Sequence, residues 1–503
     1  MRTSKKILLT GIFILFVQFV SRSQPPNTLY FIENMPYRHT LNPSFQPTQD
    51  FYVSVPTLSY IHLNIGNNSL TLKNIFQNNT EGNTVYFLNP DGDKDYFYNT
   101  LQPVTLLNVD TKISLLGAGL RMYDSYFTLD ISQRVSSQLY LPKDFFRFAL
   151  YLTPDIDNNI FDFRHLDFSA QTYTDVSFGI SYTFNRRLNF GGKLRLLVGN
   201  NNKSFSHSKF DVSANIEEWN ISGNGELKSS GGDHLDVYEN FDSIRYSSNG
   251  IKGFATIAGM GAGLDAGMSY RITKHLTFST AITDVGAIRW KKNTTNTKYN
   301  LDYTFTGVNK SVNDNYSLEE LLDSIKTAFI NSQEVSNNAG KRYTTTLLPK
   351  LYIGLQQDFF DKRLSLGLLS KTLLNSQKTY GELTFSVNGK PLEWLNISLS
   401  HSFFNKSFST FGAGIGIQTG SLYWFTALDY IAFDNVPLPI KKIDSSLPDI
   451  TLGAPYNSKA FDIAMGVVIA LDDLNWFKSK KIDPFEAEER EIELSGFKNC
   501  RVR

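Results

Sequence analysis

Leu383-Thr384-Phe385-Ser386-Val387, Leu395-Asn396-Ile397-Ser398-Leu399-Ser400 and Phe411-Gly412-Ala413-Gly414-Ile415-Gly416-Ile417-Gln418 lie close together between Lys362 and Phe433. In each, every second residue is apolar and the residues between are small or polar. Period two sends the two sets to opposite faces of a strand, because successive Cβ atoms alternate sides. One face wants hydrocarbon. The other wants water or tolerates close packing. A soluble sandwich and a membrane barrel share this beat, so strand length and context must separate them.

Working outward, strands are expected near 110–121, 125–136, 170–184, 188–200, 204–216, 219–230, 261–272, 276–290, 344–358, 362–374, 378–388, 392–404, 409–419, 421–433 and 459–471, fifteen in all. Most are longer than the five or six residues usual in soluble sheets, and suit the roughly 9–11 residues of a tilted membrane strand. An odd count leaves two options. Phe51–Ile65 is a further wall strand, giving sixteen, or a weak segment such as 219–230 is not a span, giving fourteen. A short helix is expected over Pro142–Leu150, with proline in its first turn.

The N-terminus reads as an export signal over residues 1–23. Arg2, Lys5 and Lys6 precede an apolar run from Ile7 to Val20, and Ser21 and Ser23 supply small residues at a cleavage site. The mature chain is then expected to begin at Gln24. No later stretch offers 18 consecutive apolar residues for a spanning helix. Charge is balanced, with 49 basic and 48 acidic residues, so no nucleic-acid footprint exists. The single cysteine, Cys500, excludes an internal disulfide framework. Aromatics make up 14% of the chain, which favours strands and interfacial girdles, and Trp290, Trp394, Tyr423, Trp424 and Trp476 fall near segment ends.

Loop lengths sort by side. Gln418–Ser421, Asn388–Pro391, Phe359–Lys362, Thr273–His275 and Asn185–Arg187 are tight turns at one end. Segments 434–458, 291–343, 231–260 and 137–169 are long and fall at the other. This is the asymmetry of outer-membrane barrels. The expected fold is therefore all-β, an antiparallel transmembrane β-barrel of about 14 strands, or 16.

In that register the polar faces carry Asp130, Arg134, Asp175, Lys193, Arg195, Asp265, Arg271 and Asp462. Charges belong in the lumen, since a cation on the lipid face at mid-depth costs about 2–4 kcal/mol. They either line a polar path or form ion pairs that brace a filled lumen. Leu318, Leu321, Leu322, Ile325 and Phe329 form an apolar stripe on a helix expected near 317–331, with Ser317 and Glu320 as a capping box. That helix is either a lid or docking surface, or a helix packed on the rim. A charged tail follows over 472–503. No HExxH, no G-x-S-x-G and no phosphate loop occurs, so no enzyme activity, catalytic residue, metal site or cofactor is expected.

Leu41-Asn42-Pro43-Ser44-Phe45-Gln46-Pro47, the Gln24 start and Leu264–Trp290 around Thr283-Asp284-Val285-Gly286 resemble the FadL-like group of outer-membrane proteins. That group includes hydrophobic-compound transporters and the shuttle component of type IX secretion. The resemblance is nearest to an outer-membrane family of Bacteroidetes. It implies about fourteen strands, a periplasmic N-terminus, passage of apolar ligands through a gap in the wall, and a hatch in which Asn42, Pro43 and Ser44 match an Asn-Pro-Ala element, with Ser44 in place of the alanine; the C-terminus is expected on the periplasmic side too. It also implies that residues 24–108 form a plug-like segment, with or without the first strand, ahead of a barrel over 109–471. Expected partners are outer-membrane lipids and a small hydrophobic ligand, or an exported protein if the barrel is a scaffold.

Overall fold

The computed structural model describes residues 26–471, apart from 79–83, 152–159, 186, 215–217, 232–233, 238–243, 248–255, 306–332, 338–339, 375–379, 405–407, 432–434, 440–450 and 456–458. The export signal with Gln24, the helix expected at 317–331, Trp476, Cys500 and the 472–503 tail lie outside the described residues.

A closed antiparallel ring of fourteen strands forms the wall. In chain order these are β1 (two ladders, Phe51–Ser54 and Ile61–Asn67), β2 (Val104–Met122), β3 (Ser125–Pro142), β4 (Asp167–Asn185), β5 (Leu188–Ala214), β6 (Gly259–Arg271) and β7 (Leu276–Trp290). They continue with β8 (Lys350–Phe359), β9 (Leu364–Leu373), β10 (Tyr380–Leu392), β11 (Leu395–Phe404), β12 (Phe408–Thr419), β13 (Leu422–Ile431) and β14 (Ala460–Leu471). Each pairs with its neighbour, and β14 closes the ring on both ladders of β1.

The count reconciles the two sequence options. Phe51–Ile65 does enter the wall, while Trp219–Gly231 does not. The stretches expected as two strands at 188–200 and 204–216 are one strand of 27 residues. Asn200-Asn201-Asn202 resembles a turn, but its polar groups find partners along the sheet: Asn200 donates to the Thr256 carbonyl and Asn202 to that of Ala170. Beyond the barrel rim, β5 pairs with Trp219–Gly231, which pairs with Thr295–Phe305, which pairs with Gln333–Asn337. The short helix appears at Lys143–Tyr151.

Tight turns gather at one end, as the loop lengths predict, except that β10 runs through Asn388–Pro391 with a bulge and turns at Glu393-Trp394. We call this the turn end and the opposite one the loop end. Strand β1 is interrupted part-way along its length. Between the ladders of β1, residues 55–60 bow out of the sheet, yet Thr57 N–H bonds the Ser114 carbonyl and Leu58 O accepts from Val467.

The polarity of the wall is inverted relative to a soluble protein. Phe178, Leu194, Leu264, Phe385, Leu399 and Met465 are exposed on its outside. Their alternating partners Ser177, Lys193, Asp265, Thr384, Ser398 and Asp462 are buried inside. A continuous apolar belt on this scale marks a membrane-facing surface. Trp394 and Trp424, about half exposed, sit on that outer face, whereas Trp290 and Tyr423 are fully buried. The girdle expected of the latter two gives way to inward packing: Trp290 donates its indole N–H to Thr345 over Gly199.

Candidate functional site: the filled lumen

Residues 26–50 occupy the lumen. Prolines keep this stretch from forming an α-helix. It makes two short 3-10 turns instead, Asn27–Phe31 and Pro36–Thr40, whose residues are almost all buried. Tyr30 stacks on Tyr352 at 5.9 Å between ring centroids and hydrogen-bonds Ser279. Tyr37 bonds Ser114, and His39 Nε2 lies 2.7 Å from the Tyr52 hydroxyl. Small lumen-facing residues make room for it. A Cβ on Gly191 would overlap the Pro43 carbonyl oxygen, and one on Gly267 would overlap Asn42 Oδ1.

The Asn42-Pro43-Ser44 element sits at this tight approach. Asn42 Oδ1 accepts from both the N–H and the hydroxyl of Ser44, at 3.0 and 2.8 Å. Its amide donates to Tyr30 and to the Thr280 carbonyl of β7. The hydroxyl of Ser44, absent from the alanine of the resembled motif, thus closes a local ring that fixes the Asn42 side chain.

Above this element lies a chain of charges, one from each of the consecutive strands β3 to β8. Arg195 holds Asp175 at 2.6 Å and Asp265 at 3.2 Å, and also bonds Asp284. Arg134 reaches Asp175 at 3.3 Å and Asp284 at 3.1 Å, and Lys350 lies 2.8 Å from Asp284. Three cations meet three carboxylates, so the set is neutral. This matters because a buried ion without a partner costs several kcal/mol. Asp284 is delivered by a bulge: Thr283 and Asp284 together oppose Asp265, and Asp284 takes φ 59° while its N–H bonds Asp265 at 2.7 Å. A bulge re-aims a side chain in this way.

Of the charges expected in the lumen, Asp130, Arg134, Asp175, Lys193, Arg195, Asp265 and Asp462 face inward. Asp130 lies 3.8 Å from Lys193 and 3.9 Å from His39. Arg271 shares their parity but sits at the turn end, away from the chain of charges. There it helps to stabilise Glu33: burial works against that carboxylate, but Lys362, Arg38, a Gln356 hydrogen bond and Arg271 together hold it below its usual range. Sequence reading missed Asp284, Lys350, Lys371, Glu382, Asp429 and His62. Glu382 was within reach, since it shares parity with Thr384 and Ser386.

At the turn end, a vestibule of about 570 Å³ is lined by Glu33, Asn34, Gln356, Asp358, Lys362 and Arg363, among others. On the loop side, a pocket of about 40 Å³ touches Arg134, Asp284 and Lys350. Farther out, the Lys143–Tyr151 helix and the sheet beyond the rim enclose Phe161, Phe163, Ile221, Tyr299 and Leu301. Phe145, Phe148, Phe205, Phe210, Trp219 and Tyr303 remain partly exposed around them. Among the described residues no cluster of histidine, cysteine or acidic groups is arranged to hold a metal ion.

Solved structures with similar folds include the Pseudomonas putida toluene transporter TodX, at 10% identity over 86% of this chain and 93% of that one, with a TM-score of 0.40. The CymD monoaromatic hydrocarbon channel is 8% identical over 88% and 94%, with a TM-score of 0.41. A Pseudomonas aeruginosa FadL homologue is 13% identical over 90% and 98%, with a TM-score of 0.34. At these scores the likenesses carry no weight on function, and the barrel follows from the strand ring itself. No curated protein matches the sequence. The profile of DUF5723, a family of unknown function, matches residues 43–429, and the chain belongs to that family.

Proposed function

We propose that this barrel sits in the outer membrane of a Gram-negative bacterium, loop end outward, and binds or passes a small hydrophobic compound. The supporting observation is the aromatic shelf at the loop end. Phe148, Phe210, Trp219 and Tyr303 leave apolar surface there that barrel closure does not require. The lumen behind the shelf is filled by residues 26–50 and charged, which disfavours an apolar solute on the axis. Residues 55–60 interrupt β1, with Leu58 54% exposed on the outer side and Tyr60 buried within, and both neighbouring strands hydrogen-bond across the interruption.

Purified barrel in detergent would be titrated with a fluorescent apolar probe, alongside a Phe148→Ala/Trp219→Ala variant. Saturable binding, weakened about thirtyfold by the loss of two aromatic contacts worth near 1 kcal/mol each, supports the reading. Absence of saturable binding by the intact barrel defeats it. The protein-scaffold reading rests on the long loops, the helix near 317–331 and the 472–503 tail, of which the helix and the tail lie outside the described residues.

A further inference from the structure

The vestibule at the turn end plays no part in binding at the loop-end shelf. Its volume of about 570 Å³ lies within the range of small-molecule pockets, roughly 300–1,000 Å³. Its lining combines plug residues 31–34 with residues of β8 to β11, so a molecule held there touches plug and wall together. Phe31 and Ile32 supply apolar surface, and Glu33 and Asp358 supply carboxylates.

The two carboxylates share one amide. Gln356 Nε2 donates to Glu33 Oε1 at 2.9 Å and to Asp358 Oδ1 at 2.8 Å. Both hydrogens of that amide are then spent, and among the described residues neither carboxylate has another side-chain donor. Lys362 and Arg363 line the same chamber and are exposed. Among the described residues neither they nor the two carboxylates form an ion pair. Arg38 and Arg271, outside the lining, add to the field at Glu33. Opposite charges thus face a common space without touching. Asn396 of β11 also lines it; this residue is 7% exposed, and its Nδ2 is buried without a hydrogen-bond partner. An unmet buried donor is costly, and a ligand oxygen would satisfy it. The turn that presents Lys362 is strained as well. Phe360, Asp361 and Lys362 take φ 51°, 52° and 66° in succession, and strain of this kind gathers at ligand clamps.

The lining discriminates among ligand classes. An apolar solute would strip water from two carboxylates and two cations and return no hydrogen bond. A simple anion would meet Glu33 and Asp358, and a simple cation would meet Lys362 and Arg363. A molecule carrying both an ammonium and a carboxylate pairs with both sets through charge-assisted hydrogen bonds.

We propose that the vestibule binds a zwitterion, a free amino acid or a short peptide, with its ammonium on Glu33 and Asp358 and its carboxylate on Lys362 and Arg363. Asn396 donates to a further ligand oxygen. Held there, the ligand ties the plug to the β8–β9 hairpin. With the loop end outward, the turn end faces the periplasm, and the ligand arrives from that side. The site shares no residue with the aromatic shelf, so either can fail without the other.

The test titrates the full mature barrel in detergent with alanine, trialanine, N-acetyl-trialanine and trialanine amide, read by calorimetry. Saturable binding of alanine or trialanine is expected, weakened at least about tenfold when either charge of the tripeptide is capped. Alanine binding as tightly as trialanine assigns the site to free amino acids, and binding of trialanine alone assigns it to peptides. Lys362→Gln/Arg363→Gln changes exposed side chains that make no hydrogen bond or ion pair with described residues, so the fold should persist. It should weaken trialanine about tenfold and leave trialanine amide unchanged. Asp358→Asn should do the converse, weakening trialanine amide and leaving N-acetyl-trialanine unchanged. Should Asp358→Asn fail to fold, the Lys362→Gln/Arg363→Gln comparison decides. No saturable binding of either zwitterion, equal binding of the capped forms, or indifference to Lys362→Gln/Arg363→Gln would overturn the proposal.

Discussion

Thr28 and Asp429, 401 positions apart, meet in the lumen: the Thr28 N–H donates to Asp429 Oδ2 at 3.3 Å and its hydroxyl donates to Oδ1. A bulge on β13 makes the meeting geometrically simple. Asp429 and Tyr430 together oppose Gly412, Tyr430 takes φ 66°, and the carboxylate fills the space a Gly412 side chain would need. Thr28→Val keeps the shape and removes one donor from a buried carboxylate. The expected loss is about 1–3 kcal/mol of stability, measured as a lower denaturant midpoint for the detergent-solubilised barrel.

Gly191 and Gly267 leave space for Pro43 and Asn42, and a methyl at either would collide with the backbone or amide of the plug. Gly191→Ala should unseat the 26–50 segment and raise single-channel conductance in planar bilayers. Gly340, where a methyl would meet nothing within 4 Å but φ is 81°, is the comparison site. Gly340→Ala should strain its own turn and leave conductance unchanged.

Asp284 answers Arg134, Arg195 and Lys350. Asp284→Ala leaves three cations facing two carboxylates, with an expected cost of about 3–5 kcal/mol. Asp284→Asn tolerates the left-handed backbone and retains a hydrogen-bonding side chain, so it should cost less than the alanine variant. Heat-dependent mobility of the folded barrel on gels reads the order of the three proteins. Equal stability of the two variants would contradict the charge account.

His39 is buried, and its pKa lies well below the usual imidazole range, first through burial and then through the charges of Lys193 and Lys112. The unfolded chain therefore binds a proton that the folded one refuses once pH falls below about 6.5. Stability should be at its full value above that pH and decline as pH drops further, by up to about 1.4 kcal/mol per unit from this group. His39→Gln keeps a hydrogen-bonding partner for Tyr52 and should flatten the decline. Parallel pH profiles for the two proteins would remove His39 from the explanation.

Much of the wall was legible because Phe385, Phe411 and Leu264 alternate with residues whose small or polar side chains have one reasonable destination. Parity alone carried Asp130, Asp175, Arg195 and Asp462 into the lumen. It failed where the period itself breaks. Asp284 and Asp429 sit on bulges, and their two-against-one pairings depend on Asp265 and Gly412 in neighbouring strands. Asn200-Asn201-Asn202 has turn composition but lies where ladders on both sides continue, so tertiary pairing overrode local preference. Trp290 and Tyr423 looked like interfacial aromatics from their position along the strand, and only the packing around Gly199 and in the lumen shows that they point inward. The match between Thr28 and Asp429 leaves no local trace in either stretch.

The N-terminal segment also constrains the order of assembly. Its residues touch β2 through Ser114, β7 through Ser279, β11 through Ser400 and β13 through Asp429, while the ring is completed only when β14 meets β1. A cylinder already shut would have to admit this segment past the tight approaches at Gly191 and Gly267. Winding the sheet around a core already in place needs no such passage. Residues 26–50 thus act as a mandrel, and the joint between the first and last strands is the final stave set around it.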